Sequence, residues 1–304
     1  MSVPLVECVP NFSEGSDPRR VESIVAAMRL DGVHLLDWSL DPDQNRSIVT
    51  IAGEPAAVLE SAVRGAGKAA ELIDLTRQTG VHPRIGAADV IPFVPISGIT
   101  LDKCVMLARQ AGLEIWRRFS VPIYFYEAAA SRPDRANLEN VRQGQFEGLR
   151  DASRKEAARR PDVGGPGLHP TAGACAVGAR KFLVAYNIYL DSGDVAVARA
   201  IAREIRAAAL GLKGVKALGL AVHGRALLSL NIGDFQATPV SEVFKAVSNL
   251  AARHKTATVE GEVIGLIPQA ACERESEWMR QLIGFDPVAK ILENRLASPL
   301  AWPE

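Results

Sequence analysis

Strand–helix–strand–strand–helix–strand, read twice along one chain of 304 residues, is the strongest constraint on how this sequence folds. The first pass opens on an apolar run over 5–9 and the turn Pro10-Asn11-Phe12-Ser13-Glu14-Gly15. A helix over 18–30 follows, with Val21, Ile24, Val25 and Met28 at i, i+3, i+4 and i+7, one apolar face. Ser13 just before it reads as a helix cap or as part of an anion-binding helix start. Strands over 33–38 and 47–52 flank the polar loop Asp41-Pro42-Asp43-Gln44-Asn45-Arg46. A second helix spans 55–72, with Pro55 in the first turn where a missing N–H costs little. A strand over 90–94 closes the pass.

The second pass runs through a strand over 182–190 and a helix over 195–210. That helix carries Ala198, Ile201, Ala202, Ile205 and Ala208 on one face. Strands over 215–222 and 226–232 turn around His223-Gly224-Arg225, and a helix over 239–253 and a strand over 258–267 follow. This order is the ferredoxin-like split βαβ unit. The expected fold class is α+β: two ferredoxin-like (βαββαβ) subdomains, over 1–180 and 181–304, the second with a helical tail. Both helices of such a unit cover one face of its sheet. The two bare faces invite face-to-face packing or sheets facing a substrate cleft. Between the passes lie a helix over 101–119, a strand over 121–126 and a basic, loop-rich stretch over 131–160. Its cations, Arg132, Arg135, Arg142, Arg150, Arg154, Lys155, Arg159 and Arg160, read as a solvated helix face, with an anionic substrate as the second reading.

Bulk properties exclude several classes. Formal net charge is zero, so no global field draws the chain to nucleic acid or to a membrane. The longest apolar runs are too short to span a bilayer, and the first residues have no basic stretch or long apolar core, so no signal peptide is expected. The four cysteines, Cys8, Cys104, Cys175 and Cys272, form no CxxC pair and match no zinc framework. Free thiols in the cytoplasm and no metal are the expectation.

Two segments concentrate chemistry. Gly80-Val81-His82-Pro83-Arg84-Ile85-Gly86-Ala87-Ala88-Asp89 brings an imidazole, a guanidinium and a carboxylate into ten residues whose backbone is broken by glycine and proline. Polar groups on a constrained loop at a strand edge are a common way to build a site, and histidine moves protons near neutral pH. Pro161-Asp162-Val163-Gly164-Gly165-Pro166-Gly167-Leu168-His169-Pro170-Thr171-Ala172-Gly173-Ala174 reads either as backbone that a flat ligand approaches closely or as an interdomain linker. It is neither a Walker loop nor a dinucleotide fingerprint. His34 and His254 read as structural, and His223 is evenly balanced.

Five stretches, in order along the chain, resemble the formiminotransferase family. They are Val6-Glu7-Cys8-Val9-Pro10-Asn11-Phe12-Ser13-Glu14-Gly15, the run from His82 to Pro95, Gly144-Gln145-Phe146-Glu147-Gly148, the run from Gly178 to Asn187, and Val263-Ile264-Gly265-Leu266-Ile267-Pro268. The resemblance implies transfer of the formimino group from N-formimino-L-glutamate to N5 of tetrahydrofolate, the co-substrate, in histidine breakdown. It also implies folate in a cleft between two subdomains and a homodimer. The animal members add a cyclodeaminase domain, for which this stretch of chain leaves no room, so ring closure would need another protein.

The donor carbon is an electrophilic formamidine. The attacking nitrogen must lose a proton and the leaving glutamate nitrogen must gain one, which one histidine with a pKa near the working pH can do in turn. By carry-over that catalytic residue is His82, with Arg84 and Asp89 positioning it or the substrate. By the same resemblance folate lies along Gly165, Pro166, Gly167, Leu168, His169, Pro170, Thr171, Ala172 and Gly173. Arg46 and Arg180 are candidates for the substrate carboxylates. Gln44, Ser241 and the Ile232-Gly233 pair depart from the usual family pattern. These departures bear on the donor and leave open N-formylglutamate, more than they touch the fold or the use of folate. Competing readings from other classes are a folate-independent hydrolase and an inactive folate-binding protein.

Overall fold

The computed structural model describes residues 3–80, 82–206, 212–222, 224–273 and 276–304. Val81, His223, Ala208 and the end of the helix expected to reach 210 lie outside the described residues. The chain separates into two compact units, Met1–Arg180 with Pro299–Glu304, and Lys181–Ser298.

In the first unit, Leu5–Cys8 forms β1, Asn11–Phe12 β2, Pro18–Ala27 α1, Val33–Asp41 β3, Arg46–Gly53 β4, Pro55–Leu72 α2 and Ala88–Ser97 β5. β1 lies antiparallel between β4 and β5, and β3 pairs antiparallel with the outer side of β4. That is the ferredoxin-like order expected from the repeat. The unit then continues through α3 (Leu101–Phe119), β6 (Ile123–Glu127), α4 (Leu138–Val141), α5 (Gln145–Lys155) and β7 (Cys175–Ala179). β7 adds in parallel beside β5, and β6 in parallel beside β7, giving a seven-stranded sheet.

Packing explains the faces. Val6 and Cys8 of β1 share one buried core with Val21, Ile24 and Val25 of α1 and Val58, Ala62 and Val63 of α2. Successive strand residues point to opposite faces. Glu7, between Val6 and Cys8, therefore points away from these helices, and so does Asn11, whose neighbour Phe12 is in the core. The last residues return to this unit, where the Leu300 amide donates to the Leu35 carbonyl at 2.8 Å.

The second unit is a four-stranded antiparallel sheet. Val184–Leu190 is β8, Val195–Arg206 α6, Val215–Val222 β9, Arg225–Ile232 β10, Val240–Arg253 α7 and Thr258–Ile264 β11, in the order β11-β8-β10-β9. Tyr186, Ile188, Leu228 and Leu230 pack with Ile201, Ile205, Val243 and Val247. β11 ends three residues before the expected 267 because Gly265 turns the chain at φ +70°. Trp278 closes the core edge-on to Tyr186, with 5.5 Å between ring centres.

Three local expectations change. Asn11–Phe12 is a short strand paired with β4 and β5, inside what reads as a turn. β7 follows directly on the glycine segment, at residues for which no element is expected from the sequence. Its sequence, Cys-Ala-Val-Gly-Ala, has no polar alternation because every residue is buried. A parallel strand covered on both faces has that pattern. Ser13 does not cap α1; the Asp17 carboxylate does, accepting from the Arg19 and Arg20 amides.

Candidate active site

The segment 73–87, from the end of α2 to β5, is held on several sides within the first unit. The Ser13 amide donates to the Ala87 carbonyl at 2.9 Å, and the Ser13 hydroxyl to the Gly86 carbonyl at 2.7 Å. That bonding is why Ser13 is buried rather than capping a helix. The Ala87 amide donates to the Ala172 carbonyl and the Ala174 amide to the Ile85 carbonyl, both at 2.9 Å. Asn45 Nδ2 donates to the Thr79 carbonyl at 2.6 Å. Two glycines permit this closeness. A Cβ on Gly86 would stand 2.0 Å from the Ala174 carbonyl oxygen, and one on Gly173, at φ +70°, would stand 2.1 Å from that of Ile85. Gly173 therefore serves contact between two protein loops.

Asp89 is the electrostatic centre. It is fully buried, and its Oδ1 accepts from the Ile85 amide at 2.8 Å. Its Oδ2 accepts from Arg46 Nη1 at 2.9 Å and from Arg142 Nη2. Burial alone would raise its pKa, but Arg142 and Arg46 outweigh burial and hold it at about 2. Asp89 is thus a permanent carboxylate with both oxygens engaged. Its task is to fix two arginines and the Ile85 end of the loop, and not to accept a proton. Arg46 also gives Nε and Nη2 to Asn11 Oδ1, at 3.1 and 2.9 Å. Arg46, expected from the sequence as a candidate for a substrate carboxylate, thus directs three of its five N–H groups to Asp89 and Asn11.

His82 stands in the field of this cluster with its ring partly exposed. Its Nδ1 is 2.8 Å from the Pro83 carbonyl oxygen, which only accepts, so in the neutral ring Nδ1 carries the hydrogen and Nε2 the lone pair. Burial first, then the charges of Arg46 and Arg142, lower its pKa to about 3; Asp89 pulls the other way. The expectation of a pKa near the working pH is therefore corrected. The imidazole is neutral at physiological pH and ready to accept at Nε2.

Arg84 belongs to a neighbouring network. It is buried, gives Nε to Gln78 Oε1 at 2.7 Å and Nη2 to the Gln78 carbonyl at 2.9 Å, and forks onto Glu147 at 2.8 and 3.1 Å. Its fork is occupied by protein, so Arg84 positions the loop. An open cleft of about 460 Å³ borders this pair, lined by Gln78, Thr79, Gly80, Arg84, Glu147 and Arg150 among others. His82 is not part of its wall.

The glycine segment divides. Gly164, Gly165, Pro166 and Pro170 are exposed, Gly167 and Thr171 partly so, and Leu168, Ala172 and Gly173 are buried. Gly167 lies under the Arg154 guanidinium. His169 Nδ1 accepts from the Ala172 amide at 3.0 Å, so the neutral His169 ring carries its hydrogen on Nε2, the opposite tautomer to His82. Its pKa is lowered by burial.

The basic stretch is mostly structural. Arg135 pairs with Asp162 at 2.5 Å, Arg132 with Asp134 at 2.6 Å, Arg142 with Asp89, and Arg159 donates to the Asn140 carbonyl at 2.9 Å. Of the departures from the family pattern, Gln44 is tied to Asp41 at 2.8 Å and the Ser241 hydroxyl to Glu273 at 2.6 Å. The functional partners that sequence reasoning left without a role are Asn11, Gln78 and Glu147. Asn11 and Glu147 fall inside quoted motifs, which was the signal available. Among the described residues no three His, Cys, Asp or Glu side chains gather in a way that would hold a metal. Among the same residues no helix is long and apolar enough to cross a membrane.

Comparison with known proteins bears on this geometry. Residues 5–180 match the model of the formiminotransferase domain, N-terminal subdomain, and residues 185–293 that of the formiminotransferase domain. A glutamate formimidoyltransferase of Streptococcus pyogenes serotype M1 is 41% identical over 96% of this chain and 98% of its own length. One from Thermoplasma acidophilum is 40% identical over 96% of this chain and 97% of its own. The formimidoyltransferase-cyclodeaminase of Mus musculus is 34% identical, with 95% of this chain matching 59% of that protein.

Proposed function

The chain belongs to the formiminotransferase family, and from that premise we propose that it moves the formimino group of N-formimino-L-glutamate to N5 of tetrahydrofolate, in histidine breakdown. It is a one-carbon transferase. The observation that carries the reading is His82, with Nδ1 anchored on Pro83 and Nε2 left as the acceptor beside the Arg46–Asp89–Arg142 cluster.

Both substrates are rich in carboxylates and N–H groups, and the site contains buried polar atoms that suit them. Arg142 Nε is buried without a hydrogen-bond partner among the described residues. It suits a substrate carboxylate, because an unpaired buried donor is costly unless something accepts from it. Tetrahydrofolate, when bound, supplies N5 as the nucleophile.

His82 takes the proton at Nε2 and returns it to the nitrogen of the departing glutamate. Asp89 stays ionised throughout. It keeps Arg46 and Arg142 beside His82, so an anionic substrate seated at this cluster offsets the positive charges that depress the imidazole and raises its basicity. Arg84, through Gln78 and Glu147, holds the backbone that carries His82. The exposed Gly165-Pro166 backbone and the Nε2–H of His169 are the groups of the glycine segment offered to folate. We assign the protein to the cytoplasm as a homodimer, a reading supported by its free cysteines and by the family resemblance.

The test mixes protein and tetrahydrofolate with either N-formimino-L-glutamate or N-formyl-L-glutamate. Free glutamate and the methenyl-folate formed on acidification are followed together. Folate product from the formimino donor is expected. Product from the formyl donor alone moves the activity to formyl transfer, and glutamate release without folate product makes the protein a hydrolase.

A further inference from the structure

The open cleft beside the Arg84–Glu147 pair has no occupant in the mechanism above. Its volume, about 460 Å³, is within the range of small-molecule sites. One wall is the loop from Leu75 to Gly80, the other the start of α5 from Gln145 to Arg150. The Leu75 amide donates to the Thr171 carbonyl and the Phe146 amide to the Arg84 carbonyl, both at 2.9 Å, so both walls are pinned. The side chains of Leu75 and Phe146 are buried and form an apolar floor.

The charges of this cleft do not cancel. Arg84 and Glu147 answer each other through bonds of 2.8 and 3.1 Å, which leaves Arg150 in excess. Phe146 and Arg150 stand at i and i+4 on α5, and the guanidinium carbon lies 5.6 Å from the centre of the Phe146 ring, which holds it over the floor. Glu147 feels the Arg150 charge but is forked onto Arg84. No hydrogen bond or ion pair joins Arg150 to any described residue. Gln145, beside it, has a left-handed φ of +54°, a strained conformation of the kind that gathers at functional sites. Its Oε1 faces Arg84 Nη1 at 3.5 Å, which leaves its amide N–H groups for the cleft. The spare groups are therefore donors, one of them charged, over an apolar floor. They suit an anion on a short aliphatic stem.

Distance selects which anion. Gly80 lines the cleft and stands two residues before His82, at most ~7 Å along the backbone. In N-formimino-L-glutamate five bonds, ~6 Å, separate the formimino carbon from the side-chain carboxylate. In tetrahydrofolate a methylene, an aromatic ring and an amide lie between N5 and the glutamate, roughly twice that length. We infer that the cleft holds the side-chain carboxylate of the donor, with Arg150 as its charged partner and Gln145 as a second hydrogen-bond donor. The donor's other carboxylate, next to the reacting nitrogen, is left to Arg142 Nε. The inference rests on the transfer reading above, and it holds equally for a formyl donor, which shares the glutamate half. It makes Arg150 a binding residue that separates glutamyl donors from their side-chain amides.

The experiment compares N-formimino-L-glutamate with its side-chain amide, N-formimino-L-glutamine, in wild type, Arg150→Gln and Arg150→Lys, with the tetrahydrofolate KM measured in parallel. Wild type should lose about tenfold or more in kcat/KM on the amide, mostly through KM, the scale of one charge-assisted hydrogen bond. Arg150→Gln should lose a similar factor on the glutamate donor and treat the two donors within about threefold of each other. Its tetrahydrofolate KM should stay within about twofold of wild type, and Arg150→Lys should recover part of the loss. Arg150 is exposed, so neither substitution threatens the fold. A wild type indifferent to the amide, or an Arg150→Gln that keeps the full preference for the glutamate donor, overturns the inference. So does a variant whose tetrahydrofolate KM rises while its donor KM stays, which gives the cleft to folate. If wild type uses the formyl donor alone, the same comparison is made with N-formyl-L-glutamine. A wild type that turns over neither donor overturns the transfer reading itself, and this inference with it.

Discussion

Replacing Asp89 by asparagine keeps the side chain's shape and removes the charge that holds Arg46 and Arg142. The folded-state pKa of about 2 lies nearly two units below the ordinary 3.8. At 1.36 kcal/mol per unit this corresponds to roughly 2 kcal/mol of stabilisation at neutral pH. The folded pKa is the lower one, so this contribution is complete above about pH 5 and is lost as pH falls through 3.8 towards 2, with ~1 kcal/mol gone by pH 3. Asp89→Asn forfeits it and also leaves two arginines buried without their counter-charge, which raises the expected loss at pH 7 to about 3–5 kcal/mol. Chemical unfolding of wild type and variant at pH 7 and at pH 3 measures both quantities. The gap should be large at pH 7 and narrower by ~1 kcal/mol at pH 3. A gap under about 1 kcal/mol at pH 7, or one that does not change with pH, refutes the assignment of Asp89 as the permanent anchor of this cluster.

Gly173→Ala forces a Cβ against the Ile85 carbonyl at a left-handed φ. It should cost at least ~2 kcal/mol in a melting experiment and cut activity with it. The two ends of the Arg84–Glu147 pair should differ. Glu147 is 60% exposed, so Glu147→Gln should change stability by less than about 1 kcal/mol, whereas Arg84→Ala, which also breaks the bonds to Gln78, should cost about 3 kcal/mol on the same melts. In pH–rate profiles, the acid limb of kcat/KM should lie below about pH 5, because burial, Arg46 and Arg142 keep the free-enzyme imidazole neutral down to there. An inflection at the ordinary histidine value of 6.5 would show that this field does not act on His82.

The double βαββαβ order was legible in the sequence because each helix shows its 3.6-residue stripe and each strand a short apolar run between turn residues. β7 was not, since a strand buried on both faces among small residues has no period to read. The His82 loop was legible as a constrained polar segment. What each polar group does there depends on partners far along the chain. Asp89 meets Arg46 and Arg142, 43 and 53 residues away, and Arg84 meets Glu147 at a separation of 63. Sequence spacing encodes neighbours on one helix or strand, not such crossings between loops. For that reason Arg46 read as a substrate ligand and Ser13 as a cap. Glycines 167 and 173 likewise read as ligand-facing, when one lies under Arg154 and the other against Ile85.

His82 as the group that carries the proton is the centre of the account, and His82→Ala tests it most directly. Tetrahydrofolate and N-formimino-L-glutamate are held saturating, and methenyl-folate formed on acidification is measured per enzyme against wild type, with folate affinity recorded in parallel. The account predicts a kcat lower by about 10²–10⁴-fold with folate binding retained. A variant that binds folate and turns over within tenfold of wild type would contradict it.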